Sequence, residues 1–153
     1  MKPRSAAVTL LLNAVLWTAV AATPAQASQL DLRAGSYTDL QKPFAGLGFL
    51  SRVGSSGLYF NPNVEYVFVD DGRFGTLNFD AHYDLPTGGR PYIWLGGGLA
   101  LVHSAPEHGG STTDARANLL AGLGLRLGHS VPYVQAKLIT GDNEFVAAVG
   151  IRF

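Results

Sequence analysis

The side chains best suited to chemistry are few. His82 stands two residues from Asp80 and two from Asp84, an imidazole between carboxylates on one face of an extended segment. That grouping could serve general acid–base work, but no Ser or Thr adjoins it to act as nucleophile. His103 is followed by Ser104, yet neighbours in a strand point to opposite faces, so the two do not form a nucleophile–base pair. His103, Glu107, His108 and Asp114 are ligand types that suit zinc, but their spacing matches no metal motif, and such residues in a loop are ordinarily solvated. Gly96, Gly97 and Gly98 are followed by neither a helix nor a Lys-Ser/Thr pair, which argues against a phosphate loop and for a kink in a strand. The reading is therefore of no catalytic residue, no metal and no cofactor.

These residues belong to an exported chain. Lys2 and Arg4 precede an apolar stretch from Ala6 to Ala22, followed by Ala25-Gln26-Ala27 and Ser28. This is a secretory signal peptide pattern, so residues 1–27 are set apart and 28–153 form one expected domain. Without Lys2 and Arg4, nine basic residues face eleven acidic ones, a balance that excludes a nucleic-acid partner. There is no Cys, so neither disulfides nor a lipid-anchored Cys contributes. The longest later apolar run, 92–102, carries three consecutive glycines and is too short for a spanning helix, which needs about 20 residues. If the chain crosses a membrane, it does so as strands.

Period-two alternation runs through 30–37, 43–52, 58–68, 75–85, 115–127, 131–139 and the final EFVAAVGIRF. The clearest case sets Leu77, Phe79, Ala81, Tyr83 and Leu85 against Asn78, Asp80, His82 and Asp84. Segment 92–103 is apolar on both faces and leaves its orientation open. Eight strands of about ten residues suit a tilted bilayer crossing. The turns at 54–57, 86–90 and 128–130 fall on one side, expected to be the periplasm. The connections at 38–42, 69–74, 104–114 and 140–143 fall on the other, the longest loop being 105–113.

The polar faces hold Asp31, Glu65, Asp80, Asp84 and Glu144 against Arg33, Arg52, Arg116, Arg126, Lys137 and Arg152, with His82 among them. The same faces carry Gly46, Gly48, Gly122, Gly124 and Gly150, which relieve crowding inside a narrow barrel but only weaken a solvated sheet. Polar-inside, apolar-outside is therefore expected, with Phe44, Phe68 and Phe145 near the outer ends and Phe60 and Phe153 near the inner ends as aromatic girdles. Open sheet edges are excluded in lipid, so strand eight must close on strand one, bringing Arg152 to Asp31. The opposite charges in so narrow a lumen should pair into a plug. A narrow pore for very small solutes, or a soluble periplasmic barrel of lipocalin type with an apolar ligand inside, are the alternatives.

An export signal, eight alternating strands, PYIWLGGGLAL at 91–101 and an ending on Phe153 together resemble the small OmpA/OmpX-type outer-membrane barrels. The resemblance implies an all-β, eight-stranded antiparallel up-and-down transmembrane β-barrel in outer-membrane lipid. It further implies recognition of Phe153 by the barrel assembly machinery, and the reading as a whole is of a monomer with a structural or interaction role in the envelope. The outer loops are short, which argues against roles that need protruding loops. Lipid-A deacylases among such barrels use a lipid-facing His-x-Ser, a triplet absent here.

Overall fold

The computed structural model describes residues 28–141 and 143–153. The expected export signal at 1–27 lies outside the described residues. Eight strands follow in order: β1 Gln29–Tyr37, β2 Lys42–Arg52, β3 Leu58–Val67, β4 Arg73–Leu85, β5 Pro91–Ala105, β6 Thr112–Leu125, β7 Val131–Ile139 and β8 Glu144–Arg152. Each pairs antiparallel with the next, and β8 pairs with β1 from Asp31↔Arg152 to Tyr37↔Val146. The sheet is closed, so no strand presents an unpaired edge.

Alternation dictates which face is which. On β4 Asn78, Asp80 and His82 are buried in the lumen, while Tyr83 and Leu85 face out. On β6 Leu119, Leu123 and Leu125 are exposed, Leu119 to 63%. Apolar side chains thus cover the outer wall and ionised ones lie inside. The soluble, lipocalin-like alternative requires the reverse and does not fit. β5, open in the sequence, turns Tyr92, Trp94, Ala100 and Val102 inward and Ile93, Leu95 and Leu99 outward. Phe44 departs from the expected girdle. It shares the inward parity of Gly46 and is buried, its ring edge-on to Tyr37 at 5.4 Å. Phe68, Phe145 and Phe153 do face outward.

The glycines inside are clearance for large neighbours. A Cβ on Gly122 would lie 2.0 Å from the Trp94 ring, and one on Gly150 2.4 Å from Tyr133. At Gly96 and Gly98 a Cβ would meet the neighbouring strand's backbone, the Ala81 carbonyl oxygen at 2.1 Å and the Phe79 carbonyl oxygen at 2.3 Å. The strand runs unbroken through 96–98, so these glycines serve close packing where a kink was expected. Pro62 lacks an amide N–H, and the β2–β3 ladder is interrupted opposite it; the Asn61 amide reaches the Phe49 carbonyl at 3.4 Å.

The connections differ from expectation. The turns 53–57, 86–90 and 126–130 at the end holding β1's start and β8's finish match in length 38–41, 68–72 and 140–143 at the far end or exceed them, and only 106–111 is longer. The long loop at 105–113 shrinks to 106–111, because Ser104↔Thr112 and His103↔Thr113 pair and the strands continue. β7 stops at Ile139, opposite Asn118, so the β5–β6 hairpin rises above it by on the order of 15 Å at about 3.3 Å per residue.

Candidate functional site

The lumen is filled in three tiers. At the far end Tyr37, Phe44, Val67, Val102, Ile139 and Val146 form an apolar cluster. At the terminal end Tyr92, Trp94, Leu120, Val131 and Tyr133 form another. Between them lie three acids and three bases, all buried: Asp31, Glu65 and Asp80 with Arg33, Lys137 and Arg152.

These six are interlocked. Arg33 Nη2 donates to Asp31 Oδ2 at 2.5 Å and to Asn61 Oδ1 at 2.7 Å, and its Nη1 lies 3.6 Å from Glu65 Oε1. Lys137 Nζ lies 3.1 Å from Glu65 Oε1 and 3.3 Å from Asp80 Oδ2. Arg152 Nε stands 3.6 Å from Asp31 Oδ2, its Nη1 donates to Tyr92 Oη at 2.8 Å, and its guanidinium lies over the Trp94 and Tyr133 rings at 4.4 and 4.6 Å. Neutral donors satisfy the remaining carboxylate lone pairs. Tyr133 donates to Asp31 and Tyr37 to Glu65, each at 2.6 Å, while Asn63 and Asn118 donate to Asp80 at 3.0 and 2.9 Å. Equal opposite charge with added hydrogen bonds is the condition under which ionised groups tolerate burial.

The other charged residues lie away from this centre. His82 is buried, stacked on Tyr59 with centroids 5.6 Å apart, and its Nε2 is 3.5 Å from Oδ1 of half-buried Asp84. Glu144 is buried at the far mouth, where its Oε1 accepts the Asp39 N–H at 3.0 Å. Arg116 is half-buried there, 3.8 Å from Asp114. Both line a recess of about 230 Å³ floored by Tyr37, Val102 and Ile139. Arg52 and Arg126, expected in the lumen, are exposed at the terminal rim. They keep the inward parity, but their strands have run out: Arg52 donates to the Ser55 and Ser56 carbonyls of its turn, and Arg126 lies 4.8 Å over Tyr92.

Sequence reading missed the neutral half of the plug. Tyr37, Tyr92 and Tyr133 pass for apolar in a hydrophobicity pattern, although their hydroxyls bind charged groups here. The available signal was their inward parity. It also missed a cross-strand pair on the outer face: His103 Nδ1 lies 2.8 Å from Thr113 Oγ1. Pairing register brings these together, and no spacing rule along the chain would find them. No described carboxylate is seen to orient this imidazole, and Ser104 stays apart. Among the described residues, His103, Glu107, His108 and Asp114 form no metal-binding group.

A cylinder of the same fold occurs in solved structures. Neisserial surface protein A superposes with a TM-score of 0.58 at 14% identity, over 82% of this chain and 92% of that one. The fold is that of the small eight-stranded outer-membrane barrels. The outer membrane enzyme PagL matches at 0.56 and 16% identity over 81% and 96% of the two chains. Ail of Yersinia pestis, in a phospholipid bilayer nanodisc, matches at 0.54 and 12% over 82% and 98%. No family model matches the sequence, and no curated protein does. One of these structures is that of an enzyme, and the shared fold alone assigns no activity to this chain.

Proposed function

We propose that this protein is a monomeric, sealed outer-membrane barrel with a structural or interaction role in the envelope, and that nothing passes through it. The observation that carries this is the balanced set of six buried charges closed above and below by apolar clusters. Eight strands enclose a space that side chains fill, which leaves no aqueous path. A narrow pore would need part of that plug to be absent.

The rest follows from the same reading. Residues 1–27 direct export and are removed. The terminal end, with its three turns, faces the periplasm, and the β5–β6 hairpin rises on the outside. Phe153, exposed to 52% and tied through its backbone to Leu30 at 3.0 and 3.2 Å, is the residue offered to the barrel assembly machinery. No nucleic acid is a partner. The catalytic alternative would rest on His103 and Thr113, which have a hydrogen bond between them but no orienting acid among the described residues.

Planar-bilayer recording of the purified chain tests the proposal. Bilayers that accept the protein and stay electrically silent agree with it. Discrete, reproducible channel openings from the wild type contradict it.

A further inference from the structure

The recess at the far mouth, of about 230 Å³, has a closed apolar floor. Tyr37, Phe74, Val102 and Ile139 form it, and the cluster to which they belong separates it from the charged plug below. The Tyr37 and Phe74 rings meet edge to face at 5.9 Å. The wall above is polar. Ser104 and Thr112 are paired across β5 and β6, and Asp114, Arg116 and Glu144 continue the ring. Ser104 shares the inward parity of Val102, the three β6 residues that of Asn118, and Glu144 that of Val146, so their strands turn all five into the mouth.

Charge around this mouth is uneven. Among the described residues the carboxylates at this end are Asp39, Asp70, Asp71, Glu107, Asp114 and Glu144, and the cations are Lys42, Arg73 and Arg116. The Phe153 α-carboxylate belongs to the other end. Lys42 is paired with Asp70, and Arg73 has the outward parity of Leu77 and Tyr83, away from the mouth. Of these cations Arg116 lines the recess. Its guanidinium lies 3.8 Å from Asp114, and its stem runs along Gly141, where a Cβ would be 3.6 Å from Cδ. His103 faces the outer wall, and His108 is exposed in the 106–111 turn. Two carboxylates thus face one guanidinium in the wall, with Asp39 on the rim giving its N–H to Glu144. Glu144 is only 8% exposed, so solvent screens its charge little.

We propose that this recess binds a small organic cation, an ammonium group carried on an apolar body. The body covers the aliphatic and aromatic floor, and the ammonium sits among Glu144, Asp114 and the hydroxyls of Ser104 and Thr112. A net negative wall over a low-dielectric floor concentrates cations, and the faces of aromatic rings attract them further. An anion would find Arg116 already offset by Asp114 and would be opposed by Glu144. At about 30 Å³ for each non-hydrogen atom, a water molecule's share of the liquid, the recess holds on the order of eight. Benzylammonium is of that size. The inference adds a ligand to the interaction role proposed above and stands on the geometry of the mouth. Channel openings from the wild type would overturn the seal and leave the recess intact.

The test uses the full chain recovered from membranes in detergent micelles, with methyl NMR signals of Val102 and Ile139 as reporters of the floor. Benzylammonium, benzyl alcohol and benzoate are titrated at neutral pH and low salt. Methyl signals of Leu119 and Val149 on the outer wall report partition of each probe into detergent. Benzylammonium should shift the floor methyls saturably, and the other two should bind at least about tenfold more weakly. Asp114→Asn should raise Kd about twofold to fivefold, and Glu144→Gln about tenfold or more. Ser104→Phe fills the recess without altering its charges and should abolish binding, whereas Arg73→Gln should change nothing. Heat-dependent gel mobility confirms that each variant is folded, and exposed Asp114 keeps the test open if Glu144→Gln does not fold. Benzoate bound as tightly as benzylammonium, or an unchanged Kd in the folded carboxylate variants, overturns the proposal. Floor methyls that never saturate, or that only follow Leu119 and Val149, would mean partition into detergent and overturn it equally.

Discussion

Arg152, the last residue of β8, faces Asp31 of β1 across the seam that closes the barrel, with Nε 3.6 Å from Oδ2. Closure and charge compensation therefore meet at this contact. Asp31 also binds Arg33, Asn61 and Tyr133, so its carboxylate joins the first strand to β3, β7 and β8.

Asp31→Asn removes that charge and leaves two buried guanidinium groups without it. Loss of one partner from a buried ionic set costs roughly 3–5 kcal/mol. A urea titration followed by heat-dependent gel mobility should show a large fall in the midpoint for Asp31→Asn. An unchanged midpoint would mean that the seam pair does not matter.

Gly122 lies under Trp94, and Gly150 under Tyr133. Ala at either position forces its partner ring to move, an overpacking cost of about 1–3 kcal/mol. Combining Gly122→Ala with Trp94→Leu should recover much of the loss, because the smaller side chain vacates the contested space. The same titration reads both variants, and a Gly122→Ala protein as stable as wild type would refute the clearance role.

The lipid-facing wall should respond to charge according to depth. Leu119→Arg, near the middle of β6, should cost roughly 2–4 kcal/mol in a bilayer, while Leu127→Arg at the terminal rim costs about 0–1. Equal costs at both positions would deny a lipid gradient along the wall.

Much of this architecture is legible in period-two patterning. Strand existence, the inward face of β4 and the meeting of Asp31 with Arg152 all follow from alternation and the need to close. Alternation also carries an ambiguity. It gives parity but not depth, which is why Arg52 and Arg126 were expected inside, although their strands end at the rim. It also treats aromatic rings as apolar. Phe44 suits a girdle by residue type alone, while its parity with Gly46 turns it inward, and a hydrophobicity pattern does not show the hydroxyls of Tyr37 and Tyr133 as partners of Glu65 and Asp31. β5 could not be oriented because Tyr92 to Val102 is apolar on both sides; only the size of Trp94 against Gly122 across the ladder resolves it. The His103–Thr113 pair depends on the register of a hairpin longer than its turn residues suggested.

The central claim is that hydrocarbon surrounds this cylinder while its charges lie inside. Nitroxide labels at positions 119 and 123 on β6, compared with labels at 118 and 120 in reconstituted vesicles, test it most directly. The account predicts strong collision with oxygen and little with a water-soluble nickel complex at 119 and 123, and restricted access to both reagents at 118 and 120. Free access of the nickel complex to 119 and 123, with oxygen-rich surroundings at 118 and 120, would contradict it.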